Sequence, residues 1–323
     1  MRKNKIVIGT RSSKLALWQA DYVADALQKE YPGLSVEKKL MVTKGDRVLD
    51  APLAKIGGKG LFTKELETAM LAGDIDIAVH SLKDMPTELP GGLLISAVTK
   101  RMDAGDALVS HRFPSLRELP RGARVGTSSL RRKAQLLHAR PDLDLRDLRG
   151  NVNTRLRKLD EGEFDAIVLA VAGLKRLGFA DRIAEILPKN IVLPAVGQGA
   201  LAVETREEDA EARDIIAFLN DADTMNCAKA ERAFLARVEG GCQVPVGVYA
   251  TPEGEELAVE AVIASPDGER LYRDMMRGRS QDAEMIGVTL AERLLDAGGM
   301  DILQELGLLA GESKELSSWE VSE

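Results

Sequence analysis

Gly240-Gly241-Cys242-Gln243 sets a thiol where two glycines let the backbone turn tightly and leave the sulfur accessible. Such a thiol is a candidate nucleophile or covalent attachment point, with inert packing as the alternative. The other cysteine, Cys227, falls in the helical pattern TMNCAKAERAFL and reads as a small packed apolar residue. Asp84 follows Lys83 in HSLKDMP, at the end of a strand-like run and before Pro86. It reads either as an ordinary turn residue or as a carboxylate that holds or deprotonates a cationic group formed during reaction. Neighbouring Lys and Arg would keep it ionised. Two further turns, in GTRSSKLALWQA (9–20) and GTSSLRRKAQLL (126–137), place Gly-Thr and a pair of serines between a strand and a helix. Ser12/Ser13 and Ser128/Ser129 can cap those helices, and the same free N–H groups and dipole favour an anion. Arg11 stands on one turn, Arg131 and Arg132 on the other. A cation there opposes the helix dipole unless an anion lies between them. Arg149 and Arg155 in LRGNVNTRL, and Arg176 after the apolar run at 164–171, add basic candidates in turns. Several dispersed anion sites suit a ligand with many carboxylates better than one with a single phosphate.

The charge distribution points the same way. The net charge of −7 combines a surplus of nine positive charges over residues 1–200 with sixteen negative ones over 201–323. Residues 121–158 hold nine Arg and two Lys against three Asp. A charge run can be a plain solvated face, but Arg's planar fork suits a bidentate grip on carboxylate or phosphate. Nucleic-acid binding by this segment is disfavoured by a pI near 5.3 and by a low aromatic content without a stacking motif. Two cysteines cannot make a disulfide framework, and His80, His111 and His138 are scattered without a CxxC, so no metal site is expected. No apolar run is long enough to span a membrane, and MRKNKIVIGT passes into a strand without a cleavage site, so a cytoplasmic protein is expected.

These groups need elements to hold them. KIVIG (5–9) reads as a buried strand, followed by a helix to about Glu30, and Leu34, Val36, Leu40 and Val42 keep strand parity. Residues 43–60, rich in Gly and Lys, have no sustained period and read as a mobile loop that closes over a site. A helix over about 61–72 and a strand over 75–80 follow. The order then repeats. Besides the two serine turns, GDIDIAV (73–79) is echoed by GEFDAIV (162–168), each after a helix. Two echoes in the same order imply a pair of similar α/β units whose parallel strands deliver their turns to a shared cleft. Beyond about 200, helices at 207–219 and 222–238, strands near 245–250, 257–264 and 270–276, and an amphipathic helix at 281–297 suggest a small α+β domain.

At these segments the chain resembles the porphobilinogen deaminase (hydroxymethylbilane synthase) family. The matching stretches are GTRSSKLALWQA, KGLFTKELE (59–67), HSLKDMP (80–86), GTSSLRR (126–132), LRGNVNTRL (148–156), GQGALAVE (197–204) and GGCQVPVG (240–247), in family order. Only the final ESKELSSWEVSE lacks a recognisable motif. The resemblance implies an α/β fold of two similar doubly wound domains, like a bilobed periplasmic-binding-protein-like ligand-binding protein, plus a small α+β C-terminal domain. The implied division is 1–100 with about 198–219, then 101–197, then 220–323 carrying the cysteine loop. The implied enzyme is a transferase of tetrapyrrole (porphyrin, haem) biosynthesis that joins four porphobilinogen molecules head to tail into hydroxymethylbilane, releasing ammonia. By the resemblance, Cys242 carries a dipyrromethane cofactor through a thioether, and Asp84 is catalytic. Lys83, Asp84, Ser13, Ser129, Arg131 and Arg132 bind the cofactor; Arg11, Arg149, Arg155 and Arg176 bind substrate; Lys55 and Lys59 belong to the loop. A cytoplasmic monomer is implied, with no metal, nucleotide, nucleic acid or membrane, passing its product to the next tetrapyrrole enzyme. The competing reading is a non-catalytic bilobed binding protein for an anionic small molecule.

Overall fold

The computed structural model describes residues 3–43, 63–238 and 244–308. Lys55, Lys59 and most of the expected loop, together with Cys242, lie outside the described residues. The chain opens with β1 (Lys5–Arg11), α1 (Lys14–Glu30), β2 (Ser35–Met41), α2 (Lys64–Leu71), β3 (Ile77–Ser81) and β4 (Leu93–Val98). A crossover leads to β5 (Asp106–Val109), β6 (Arg124–Gly126), α3 (Leu130–Ala139), β7 (Asp144–Arg146), α4 (Val152–Asp160), β8 (Ala166–Ala170), α5 (Val171–Arg176) and β9 (Glu185–Ile186). The chain returns as β10 (Leu201–Arg206) and α6 (Ala210–Ile216). It ends in α7 (Ala222–Arg237), β11 (Val246–Glu253), β12 (Glu256–Ala264), β13 (Leu271–Arg279), α8 (Ala283–Leu294) and α9 (Met300–Glu305). The helix expected to run to 297 continues past Leu294 as a π-turn over Leu295–Gly299 and kinks at Gly298, whose φ is 123°.

The repeated sequence order becomes a repeated sheet. One sheet runs β2-β1-β3-β10-β4 and the other β7-β6-β8-β5-β9. In each, three parallel strands are followed by an antiparallel one, β10 against β3 and β5 against β8. Four strands of each sheet thus run the same way, and only β10 and β5 are reversed. The reason is where the crossovers arrive. Leu201 opens β10 opposite Ser81, the last residue of β3, and Asp106 opens β5 opposite Ala170, the last of β8. A chain entering at the carboxyl edge of a parallel strand has to run back down the sheet. Both crossovers therefore lie at the edge where open α/β sheets bind their ligands.

Each helix is seated by an apolar stripe. α1 buries Ala20, Val23, Ala24 and Leu27 against Ile6, Ile8, Ile77 and Val203. The second sheet has one core on each face, Leu108, Val125, Leu136 and Val168 on one, Leu156, Ile167, Leu169 and Leu174 on the other. α7 and α8 cover the β11-β12-β13 sheet through Phe234, Val248, Val259, Ile286 and Leu290. They cross in backbone contact at Gly287, where a Cβ would collide with the Ala230 carbonyl.

One carboxylate ties the third unit to both crossovers. Glu231 on α7 is fully buried. Its Oε1 accepts from Arg101 at 2.7 Å and from the Ala250 N–H at 2.8 Å, and its Oε2 accepts the Gly197 N–H at 2.7 Å. Arg101 lies on the outgoing crossover and Gly197 on the return. Truncating Glu231 strands a buried guanidinium and two backbone donors. We expect Glu231→Ala to cost about 3–5 kcal/mol in urea unfolding, with Glu231→Gln losing less.

The seat of α2 should respond to pH. Under that helix His80 Nε2 lies 3.1 Å from Glu204 Oε2, both side chains buried. Glu67 of α2 is buried nearby, and burial, reinforced by the charges of Glu204 and Glu65, raises its carboxyl above the usual range despite His80. A raised carboxyl favours the protonated fold. Its contribution is complete below the unfolded carboxylate value of about 4.3 and is lost as pH rises through the folded one. The melting temperature of Glu67→Gln should therefore gain on the wild type as pH rises through that window. Parallel melting curves from pH 4 to pH 8 would remove Glu67 from this account.

Candidate functional site

The strand ends and crossovers deliver the charged groups to one cleft edge. β1 ends in Arg11, and Ser13 caps α1 through Oγ accepting the Ala16 N–H at 3.3 Å. β3 runs into a single 3-10 turn, Leu82–Asp84. Leu82 is the buried peg of that turn, its N–H donating to Ala200 O at 3.1 Å, and Lys83 and Asp84 are left half-buried beside it. In the second lobe Ser129 caps α3 by accepting the Arg132 N–H at 3.5 Å. Asn151 caps α4 through Thr154 N–H at 3.0 Å, so Arg149 and Arg155 flank one helix start. Arg155 Nε donates to Gly150 O at 2.8 Å, where φ is 109° and glycine is at home.

Arg131 and Arg132 point inward. Asp106, fully buried, accepts Arg131 Nη1 at 2.6 Å on Oδ2 and Arg132 Nη2 at 2.6 Å on Oδ1. Burial alone would raise the Asp106 carboxyl, but the two guanidiniums hold it well below the usual range. The anion expected at this helix start is thus supplied, in this structure, by the protein itself. Sequence reading missed Asp106: it stands 25 residues from Arg131, and nothing periodic marks it. Gln198 was missed too, although it sits inside a quoted motif; its Oε1 accepts from Lys83 at 3.4 Å.

The remaining charges act on one another across the cleft. Burial lowers Lys83 to about 8, opposed by Asp84 and reinforced by Arg132. Burial likewise lowers Arg155 to about 10, with Arg132 and Arg149 adding to it and Asp84 opposing. Asp84 is therefore the shared counter-charge of two cations from different lobes. Among the described residues, its carboxylate takes no hydrogen bond. Lys83, Asp84, Arg131, Arg132, Arg149 and Arg155 are brought together. Arg176 sits apart, at the joint between lobes: its Nη2 donates to Gly199 O at 2.7 Å and its guanidinium lies 5.6 Å from the Trp18 ring. Burial lowers it to about 10, and its Nε is buried without a partner among the described residues.

Cations that depress one another's proton affinity are stabilised by added anions. The donor set of Lys, Arg, serine hydroxyls and helix N–H groups therefore fits a multiply carboxylated ligand such as a dipyrromethane. The residues flanking the Cys242 segment, Val238 and Val244, are packed in the third core. Among the described residues no group of His, Cys, Asp and Glu is arranged to hold a metal.

Comparison with known proteins identifies the family. The family model "Porphobilinogen deaminase, dipyromethane cofactor binding domain" matches residues 6–214. "Porphobilinogen deaminase, C-terminal domain" matches residues 225–296. A porphobilinogen deaminase of Geobacter sulfurreducens is 52% identical over 306 residues, covering 95% of this chain and 96% of its own. Among solved structures, the periplasmic aliphatic sulphonate binding protein of Escherichia coli aligns at a TM-score of 0.40 and 13% identity. That alignment covers 72% of this chain and 70% of the other. With both domain models matched in order and a relative half identical along nearly its whole length, the chain belongs to the porphobilinogen deaminase family.

Proposed function

We propose that the cationic cleft performs the family's reaction with Asp84 at its centre. The chain is a transferase of tetrapyrrole biosynthesis: it condenses porphobilinogen into hydroxymethylbilane with release of ammonia and uses a dipyrromethane cofactor. When bound, the dipyrromethane supplies the nucleophilic pyrrole carbon to which the first substrate is joined. In our reading Cys242 carries it, and Lys83, Ser13, Ser129, Arg131 and Arg132 hold its carboxylates. Arg11, Arg149, Arg155 and Arg176 orient the acetate and propionate groups of the incoming porphobilinogen, and Lys55 and Lys59 serve the loop beside it. The observation that carries the reading is Asp84, the carboxylate set against Lys83 and Arg155 in a surplus of positive charge.

Loss of ammonia from porphobilinogen leaves positive charge spread over a pyrrole nitrogen. A carboxylate already charged and fixed beside that ring stabilises it with no reorganisation at the moment of reaction. Lys83 and Arg155 flank Asp84 while the substrate's own carboxylates occupy the remaining cations. The division into 1–100 with 198–219, 101–197 and 220–323 is supported by the strand membership of the three sheets. The finer readings, a cytoplasmic monomer that hands its product to the next tetrapyrrole enzyme without nucleic acid or membrane, rest on the family. No described helix is long and apolar enough to cross a membrane.

Asp84→Ala should fold, keep its cofactor adduct and lose about 100-fold or more in kcat, with Asp84→Glu losing less. Near wild-type turnover by Asp84→Ala would end the catalytic assignment. Intact mass tests the rest. Wild type should carry a covalent adduct that Cys242→Ser lacks. Arg131 and Arg132 variants should be adduct-free, whereas Arg11, Arg149, Arg155 and Arg176 variants should show ladders of added pyrroles. Identical spectra across the six arginine variants would defeat that division.

A further inference from the structure

Asp106 opens β5 where the outgoing crossover enters the second lobe, and it does more than neutralise arginines. Its Oδ1 accepts Arg132 Nε at 3.0 Å and also Gln198 Nε2 at 3.0 Å. Gln198 lies on the return crossover, fully buried, and the same amide nitrogen donates to Ala104 O at 2.7 Å on the outgoing one. Its Oε1 accepts from Lys83. The other arginine donors reach backbone near the joints. Arg131 Nη1 reaches Leu193 O at 2.6 Å, Arg132 Nη1 reaches Val168 O at 3.0 Å and Arg176 Nη2 reaches Gly199 O at 2.7 Å. The crossovers also bond each other, Met102 N–H to Gly199 O at 3.2 Å. The cations at the back of the cleft and the two segments that join the lobes are one hydrogen-bonded network, and its ties meet at Asp106 and Gln198.

We propose that Asp106 and Gln198 are positioning residues that couple the amount of carboxylate held in the cleft to the relative placement of the lobes. The cofactor's carboxylates compete with Asp106 and Gln198 for Arg131, Arg132 and Lys83, and those of each added ring compete with the Gly199 carbonyl for Arg176. Each donor drawn away loosens a tie to a crossover, so a more heavily charged ligand opens the joint further. This rests on the proposed reaction, in which the ligand gains carboxylates at every addition.

The test uses the cofactor-bearing enzyme supplied with limiting porphobilinogen, followed by hydrogen exchange and intact mass. In wild type, exchange at 99–105 and 196–200 should quicken as pyrroles accumulate. Gln198→Met, which keeps every charge, should still carry its adduct and load the first substrate. Its crossovers should exchange fast from the outset, independently of stage, and intermediates should accumulate early. Its kcat should fall about tenfold with KM within about threefold. Asp106→Asn should yield protein without adduct, and Asp106→Glu should restore part of it. Stage-independent exchange in wild type, or a wild-type ladder and kcat in Gln198→Met, would overturn the proposal even if Asp106→Asn fails to fold. A wild-type protein with neither adduct nor turnover would instead overturn the reaction on which it rests.

Discussion

Like charges can be packed side by side in a protein only if something opposite holds them, and here that something is Asp106. Two buried guanidiniums share its carboxylate, so the back wall of the cleft keeps a positive surplus without either arginine being left bare. Lys83 and Arg155 are then half-buried within reach of that surplus, and lost hydration together with its field makes both hold their protons less firmly than in water. Asp84 gains its meaning from the same arrangement. It is one carboxylate in front of a wall of cations whose own counter-charge is already committed behind them.

The same economy recurs at Glu231, where a single carboxylate serves an arginine and two backbone N–H groups from three parts of the chain. Both acids are buried, both join segments distant in sequence, and both bond to residues of the crossovers. Apolar clusters hold each unit together, and one of them, Leu82, Met85, Val98 and Ala200 with Ala228, also seats α7 on the first lobe; buried charged hydrogen bonds add the ties at the crossovers. Apolar packing is indifferent to small slips, but a carboxylate with three donors is not. The lobes are registered by geometry-demanding contacts at the place where the ligand has to be registered too.

Much of this was legible in the sequence because local chemistry leaves local marks. Ser13 and Ser129 announce their helices by residue type and spacing, and both cap them. The paired echoes foretold two like sheets. Asp106 and Glu231 left no mark, since an acid in AGDALV or AKAERAF reads as an ordinary strand or helix residue until its distant partners are known. The arginine pair at the start of α3 did imply an anion, but residue types alone cannot say whether protein or ligand provides it. The antiparallel fourth strands were invisible for a different reason. Direction is a property of where the chain arrives, and β5 and β10 carry the same apolar composition as their parallel neighbours.

Those fourth strands also fix an order of assembly. β10 pairs with both β3 and β4, so until residues 201–206 leave the ribosome, the first sheet has an open edge at β3 and β4 has no partner in it. The second sheet needs only strands that precede residue 187 and can close first. The lobe at the amino terminus is therefore the one completed later, against the usual direction of synthesis. From the emergence of Ser81 to that of Leu201 the chain exposes a hydrophobic strand edge that its own distal segment has to reach before another molecule does.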